Sequence, residues 1–179
     1  MQYTAIYPSP LGEILLAADD EGLTGLWFAG AKYAPRDLTG ACREGESAAL
    51  IQTRRWLDVY FSGREPGFIP TLHMVGTPFQ MEVWELLRGI PYGRTTTYGG
   101  LAGQLARRRG LARMSAQAVG GAVGRNPISL LIPCHRVVGT SGSLTGYAGG
   151  IGRKRALLEL ERALQQSFFI PDHSTASPS

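Results

Sequence analysis

The chain has 179 residues and a mass of 19.3 kDa, room for one good domain or two small ones. Hydrophobic residues make up 44% and charged residues 18%, so the chain can build a core and is no disordered polyelectrolyte. No apolar run approaches the ~20 residues of a membrane helix, and MQYTAIYPSP lacks the pattern of a secretory signal. Its two cysteines, Cys42 and Cys134, stand in unlike contexts. They exclude a disulfide framework and a CxxC metal knuckle, and they fit a reducing, cytoplasmic home.

The first third reads as β-rich. Ile6-Tyr7 runs into the turn cluster Pro8–Gly12, Glu13–Ala18 alternates toward a second strand, Asp19–Gly22 turns, and Leu23–Phe28 forms a third. Residues 46–61 switch to a helical period that gathers Ala49, Leu50, Trp56, Leu57, Tyr60 and Phe61 on one side, with Gly63 as the stop. Residues 64–77 read as a loop with one short strand. Thr77-Pro78 then supplies a hydroxyl N-cap and an N1 proline for a helix carrying Phe79, Val83, Trp84 and Leu87. Pro91-Tyr92-Gly93 turns, Thr97 caps a helix to about Arg107, and Ser115 caps another over 116–125 that Asn126-Pro127 ends. A strand is expected over 128–132, a tight glycine-rich loop over 139–150, a last helix from about Arg153 to Gln166, and a frayed polar tail over 171–179. Trp27, Trp56 and Trp84 are assigned to the core, and Phe168-Phe169 to packing against the domain.

The net charge of +4 conceals an asymmetry. Residues 1–87 carry 6 Lys/Arg against 11 Asp/Glu, whereas residues 88–179 carry 12 against 3. Sixteen of the eighteen bases are arginine, whose planar fork suits phosphate. Charge alone divides evenly between a polyanion partner and a solvated basic face. The two short helices with the loop Arg107–Arg113 between them suggest a helix-turn-helix. Three glycines in the second helix cost roughly 1 kcal/mol each relative to alanine, which makes sense where something approaches the backbone closely. A neighbouring helix and a nucleic-acid backbone both meet that description.

Cys134 stands after an apolar run, between Pro133 and the pair His135-Arg136. A lone cysteine is usually a small buried hydrophobe, yet a core cysteine rarely has these neighbours. A thiolate needs nearby positive charge, which His135 and Arg136 could supply. His135 reaches the sulfur directly only if the chain turns there, or indirectly through a water. The bland role for His135 is a structural hydrogen bond.

Ile132-Pro-Cys-His-Arg-Val137, with Ala118–Val123, Asn126-Pro127, Gly146–Gly150 and Leu157–Glu161 at ordered spacings, resembles the signature of O6-alkylguanine-DNA alkyltransferases. The likeness is close over 77–163 and loose over 1–76. It implies a two-domain α/β protein: residues 1–76 as a small ribonuclease-H-like sheet domain, 77–170 as a mainly helical domain with the helix-turn-helix and the active site, and 171–179 as a flexible tail. It implies direct, single-turnover DNA repair, in which Cys134 accepts the alkyl group of O6-alkylguanine in double-stranded DNA, with O4-alkylthymine as a further candidate. His135 would be the thiol's base through a bridging water, and Glu161 would hold the other imidazole nitrogen. Asn126 would brace the turn before the active-site segment, and Tyr98 would protonate the leaving purine. Val137, Tyr147 and Ala148 would line the base pocket. Gln117, Ala118, Gly120, Gly121, Arg113 and Arg125 would meet DNA, with the helix-turn-helix in the minor groove and the damaged nucleotide rotated out of the stack. The role left to Arg136 is structural or on phosphate. The resemblance implies a monomer that needs no cofactor.

Two positions depart from the family's pattern. Gln117 stands where many members carry the arginine that fills the gap left by the extruded base, which transfers that task to Gln117 or to Arg113. Ala148 stands where some relatives carry serine. The loop between Tyr98 and Gln117 is also longer, and its arginine run is expected to compensate on phosphate. Some relatives bind zinc in the first domain, but His73 and His173 lack partner spacing and no metal is expected. Two other classes compete with repair: a cysteine hydrolase built on Cys134 and His135, and a damage-sensing DNA-binding module without chemistry. Relatives of the sensing kind lack the nucleophilic cysteine.

Overall fold

The turn signals at Pro8–Gly12 and Asp19–Gly22 cut the first 28 residues into three strands. In the computed structural model, which describes residues 2–36, 42–44 by backbone alone, and 47–171, these are β1 (Gln2–Ser9), β2 (Gly12–Ala18) and β3 (Leu23–Phe28). A short strand β4 (Cys42–Glu44) completes a sheet of order β3-β2-β1-β4, antiparallel except for the β1–β4 pair. Period-two alternation buries Ile14, Leu16 and Ala18 on one face of β2. Helix α1 (Ala48–Phe61) packs there with Leu50, Trp56, Leu57 and Tyr60 buried. The Ser47 side chain accepts from Leu50 N at 3.2 Å, and Gly63 takes φ +88 just past the helix, which stops as the sequence predicts. Trp27 is only half-buried; it folds over Gly25, where a Cβ would lie 1.9 Å from the indole. The Cys42 side chain, His173 and the predicted tail from 172 onward lie outside the described residues.

Two predicted strands are replaced by single bridges. In 64–77 only Leu72 pairs, with Leu23. There the His73 ring sits between Asp19 and Glu21, at 2.6 and 2.9 Å. In 128–132 only Ile128 pairs, with Leu26, and the chain then turns through Leu130 at φ +71. A left-handed residue ends a strand. The apolar run there reports burial, since Ile128, Leu130 and Ile132 are all buried, and burial does not by itself specify an extended backbone.

The chain divides into two compact units. One comprises the residues up to Gly76 with Pro127–Leu131; the other comprises Thr77–Asn126 and the chain from Ile132. In the second unit, α2 (Pro78–Arg88) opens with a full capping box between Thr77 and Gln80. Helix α3 (Tyr98–Arg108) is capped by Thr97 and α4 (Ala116–Gly124) by Ser115. Between them, Gly110 (φ +65) and the bond from Leu111 N to Ala106 O make a Schellman stop. Buried Trp84 donates its indole N–H to Ala122 O at 2.9 Å, fastening α2 to α4. The last helix, α5, spans Ile151–Leu160, starting two residues before the predicted position and ending six residues early. Arg162 at φ +58 and the bond from Ala163 N to Leu158 O close it. Phe168 packs on Val138, Leu144, Leu158 and Ala163, whereas Phe169 stays about half exposed. Among the described residues no helix is long and apolar enough to cross a membrane.

Candidate active site

The segment after Pro133 does turn. Cys134–Arg136 is a single 3-10 turn, and Val137 N donates back to Cys134 O. The next two residues form β6 (Val137–Val138), which pairs in parallel with β5 (Thr96–Thr97). That pairing sets the N-terminus of α3, and so Tyr98, beside the cysteine turn. On the other side, buried Asn126 donates from Nδ2 to Ile132 O at 2.6 Å and also bonds to the Cys134 thiol. Asn126 therefore braces the bend and touches the sulfur.

Asn126, Lys154 and Tyr98 act on the thiol by side chain, and a buried pair stands beside the same turn. The imidazole of His135, wholly buried, meets the Glu161 carboxylate through Nε2. Glu161 follows α5 as its cap residue and accepts also from Arg136 Nε at 2.7 Å and from Gly93 N at 3.4 Å. Burial pushes the Glu161 carboxyl up, but His135 and Arg136 outweigh it and hold it down at about 2. A neutral imidazole that gives its Nε2 proton to a carboxylate leaves Nδ1 as its lone pair. Burial also lowers the basicity of His135, against the opposing pull of Glu161.

Cys134 is only 7% exposed, and burial raises the pKa of its thiol; the bond from Asn126 and the charge of Lys154 offset part of that rise. The thiol therefore rests protonated. Lys154 is the cation that acts on it. It is fully buried on α5, donates from Nζ to Thr145 O at 2.8 Å, and lies over the Tyr98 ring at 5.8 Å. Burial lowers its own pKa to about 8. Tyr98 also donates to Thr145 O, at 3.2 Å, and burial followed by repulsion from a Cys134 thiolate raises its pKa to about 12. Tyr98 thus keeps a proton to give. The neighbouring Gly146 has φ +76, and a Cβ there would stand 3.0 Å from the Tyr98 hydroxyl, so only glycine serves.

The remaining predicted residues separate into lining and surface. Val137 and Tyr147 are buried and Ala148 half-buried. Arg113, Gln117, Ala118, Gly121 and Arg125 are exposed, and Gly120 is half-buried. A Cβ at Gly121 or Gly124 would meet nothing within 4 Å, and one at Gly120 only the Tyr98 ring at 3.8 Å. Close helix packing therefore does not explain these glycines. The arginine run is not wholly available for phosphate. Arg109 is held by Glu82, at 2.5 and 3.0 Å, and by the Phe79 ring at 5.4 Å, leaving Arg107 and Arg108 exposed. Nor does Arg136 face phosphate or supply charge to the thiol. It is buried against Glu161 and Ile90 O.

This arrangement coincides with matches along both parts of the chain. A model of the 6-O-methylguanine DNA methyltransferase DNA-binding domain matches residues 78–163, and one of the ribonuclease-like domain of the same enzymes matches residues 2–69. The chain belongs to the 6-O-methylguanine-DNA methyltransferase family. It is similar to the methylated-DNA–protein-cysteine methyltransferase of Mycobacterium tuberculosis, at 43% identity over 155 residues covering 87% of this chain and 89% of that one. The counterpart in Methanosarcina acetivorans is 42% identical over 89% of this chain and 97% of its own. Among solved structures, the M. tuberculosis O6-methylguanine methyltransferase superposes with a TM-score of 0.77 at 42% identity, covering 91% of this chain and 94% of that one. M. tuberculosis OGT in complex with DNA gives 0.74 at 40% identity, over 90% and 92%.

Lys154 is the methyltransferase residue that sequence reasoning passed over. Between Arg153 and Arg155 it reads as part of a solvated basic face. One signal was present: it is the sole lysine of a half-chain in which every other base is arginine. Lysine is the base whose charge state burial readily shifts.

Proposed function

We propose that the protein repairs DNA by accepting the alkyl group of O6-alkylguanine on Cys134 in one stoichiometric step. The observation that carries this reading is a lysine-facing cysteine on one turn with a buried histidine that is paired to the Glu161 carboxylate. The thiol proton passes to His135 Nδ1, across a bridging water. The sulfur then attacks the alkyl carbon, the carbon–oxygen bond breaks, and a thioether forms. Tyr98 protonates the purine as negative charge develops on it. Guanine leaves with the Tyr98 proton, and the proton held on His135 returns through solvent to the phenolate, so the net transfer is one proton from sulfur to guanine. Water does not displace the sulfur of a simple thioether, so each molecule acts once. Asn126 fixes the turn, and Tyr147 and Ala148 wall the base. We place this work in residues 77–170, and the protein in the cytoplasm.

On the DNA side, we assign the exposed small face of α4 to the duplex, with Arg113 and Arg125 on phosphate and Gln117 or Arg113 in the gap. Open space at Gly121 supports this, because it leaves an external surface as the reason for the missing side chain. Gly121→Leu should then stabilise α4 by roughly 1 kcal/mol while weakening duplex affinity tenfold or more. Thermal denaturation and a binding titration check the two signs. Equal affinity would take α4 off the DNA.

Intact-protein mass spectrometry after incubation with excess O6-methylguanine duplex tests the main reading. The expected gain is one CH₂, about 14 Da, on Cys134 with no second turnover, and none in Cys134→Ala. Continued turnover would indicate a hydrolase, and binding without an adduct a sensing module. Affinity should also fall steeply with salt.

A further inference from the structure

Glu161 serves two buried groups at once. Its Oε2 meets the imidazole of His135, and its Oε1 accepts from Arg136 Nε at 2.7 Å. The same guanidinium donates from an Nη to Ile90 O at 2.7 Å and lies over the Tyr92 ring at 5.7 Å. Arg136 is therefore held from three sides, by the cap residue of α5, the end of the α2 segment and an aromatic face. It has no part in the transfer as written above.

Counting charge shows what it does. With Arg136 present, the carboxylate is neutralised and the imidazole need not be. Lys154 is already a cation in the same site, so protonating His135 at rest would put a second uncompensated positive charge into a buried pocket. Without Arg136, Glu161 would be a buried anion beside a base. Taking a proton from solvent onto His135 would relieve it, because buried charges persist only when paired. A histidine already charged cannot accept the thiol proton. The other titratable groups around this cluster are Tyr92, whose ring the guanidinium covers, Cys134 on the same turn and Tyr98 from α3. Two phenols and a thiol add no charge to the count at rest.

We propose that Arg136 is a positioning residue whose guanidinium, by sharing the Glu161 carboxylate with His135, keeps the imidazole uncharged and its Nδ1 lone pair open to the thiol proton. The inference rests on the reading of His135 as the base of Cys134.

The test compares the wild type with Arg136→Gln and Arg136→Lys in two measurements. The first is an NMR titration of the His135 ring nitrogens without DNA. The second is the pH dependence of methyl transfer to Cys134. Arg136→Gln should move the His135 titration, and with it the acid limb of the rate profile, upward by one pH unit or more, with the rate recovering at alkaline pH. Arg136→Lys, which keeps the charge, should stay near the wild type. Should Arg136→Gln fail to fold, Arg136→Met removes the charge at similar volume and is read the same way. An unmoved His135 titration overturns the proposal, as does a rate lowered equally at every pH. If the wild type transfers no methyl group, the repair reading fails, while the NMR titration still decides the charge of His135.

Discussion

Glu161→Ala is expected to cost about 3–5 kcal/mol of folding stability and to lower the rate of methyl transfer by 10²-fold or more. The carboxylate satisfies His135 Nε2, Arg136 Nε and Gly93 N, and the alanine leaves all three buried groups without it. The uncompensated Arg136 charge accounts for most of the loss. A thermal midpoint lower by roughly 6–20 °C would report it. The imidazole also loses the acceptor that fixes Nε2 as its donor and Nδ1 as its lone pair, so rate and stability fall together. The pH dependence follows from the same carboxylate. Its pKa falls from 4.5 in the unfolded chain to about 2 in the fold. The stability it contributes is therefore complete above pH 4.5 and is lost as pH falls toward 2. Glu161→Ala should lack that part of the acid transition. A variant as stable as the wild type would mean that the buried cluster is held by something other than this carboxylate.

Lys154→Met should move stability and reactivity in opposite directions. Burial lowers the pKa of Lys154 from 10.5 to about 8, so the folded state pays to keep the ammonium charged at neutral pH. Methionine fills similar space without that penalty, and Thr145 O keeps Tyr98 as a donor. The expected gain is on the order of 1–3 kcal/mol. The unfolded chain binds the lysine proton more tightly, so the gain is full below pH 8 and fades between pH 8 and 10.5. Cys134 meanwhile loses the cation that offsets its burial. Its reaction with a small soft alkylator such as iodoacetamide should shift upward by one pH unit or more. That is at least about a tenfold slower reaction at neutral pH. An unchanged pH midpoint for Cys134 would remove Lys154 from the electrostatics of the site.

The legible parts of the fold were those encoded over short distances. Thr77-Pro78, Thr97 and Ser115 announce helix starts because a side-chain oxygen or a proline ring acts within one turn. The β1–β3 meander follows from turn residues and alternation. The strand expected at 128–132 failed because its apolar run carries no local signal for Leu130's left-handed turn. The last helix ran past its true end because Arg162 at φ +58 is not a residue type that marks a stop.

The site divides in the same way. Sequence by itself singled out Cys134 and its flanking His135 from residue type and neighbours, while Asn126, Glu161 and Tyr98 came from the resemblance of ordered motifs to a known family and not from residue type. Tertiary structure alone decided the charges. It brought Lys154 rather than Arg136 to the thiol, spent Arg136 on Glu161 and Arg109 on Glu82, and showed that Gly121 faces open space. The reason is that a charge acts through its distance and burial, and both are set by packing between segments far apart in the chain.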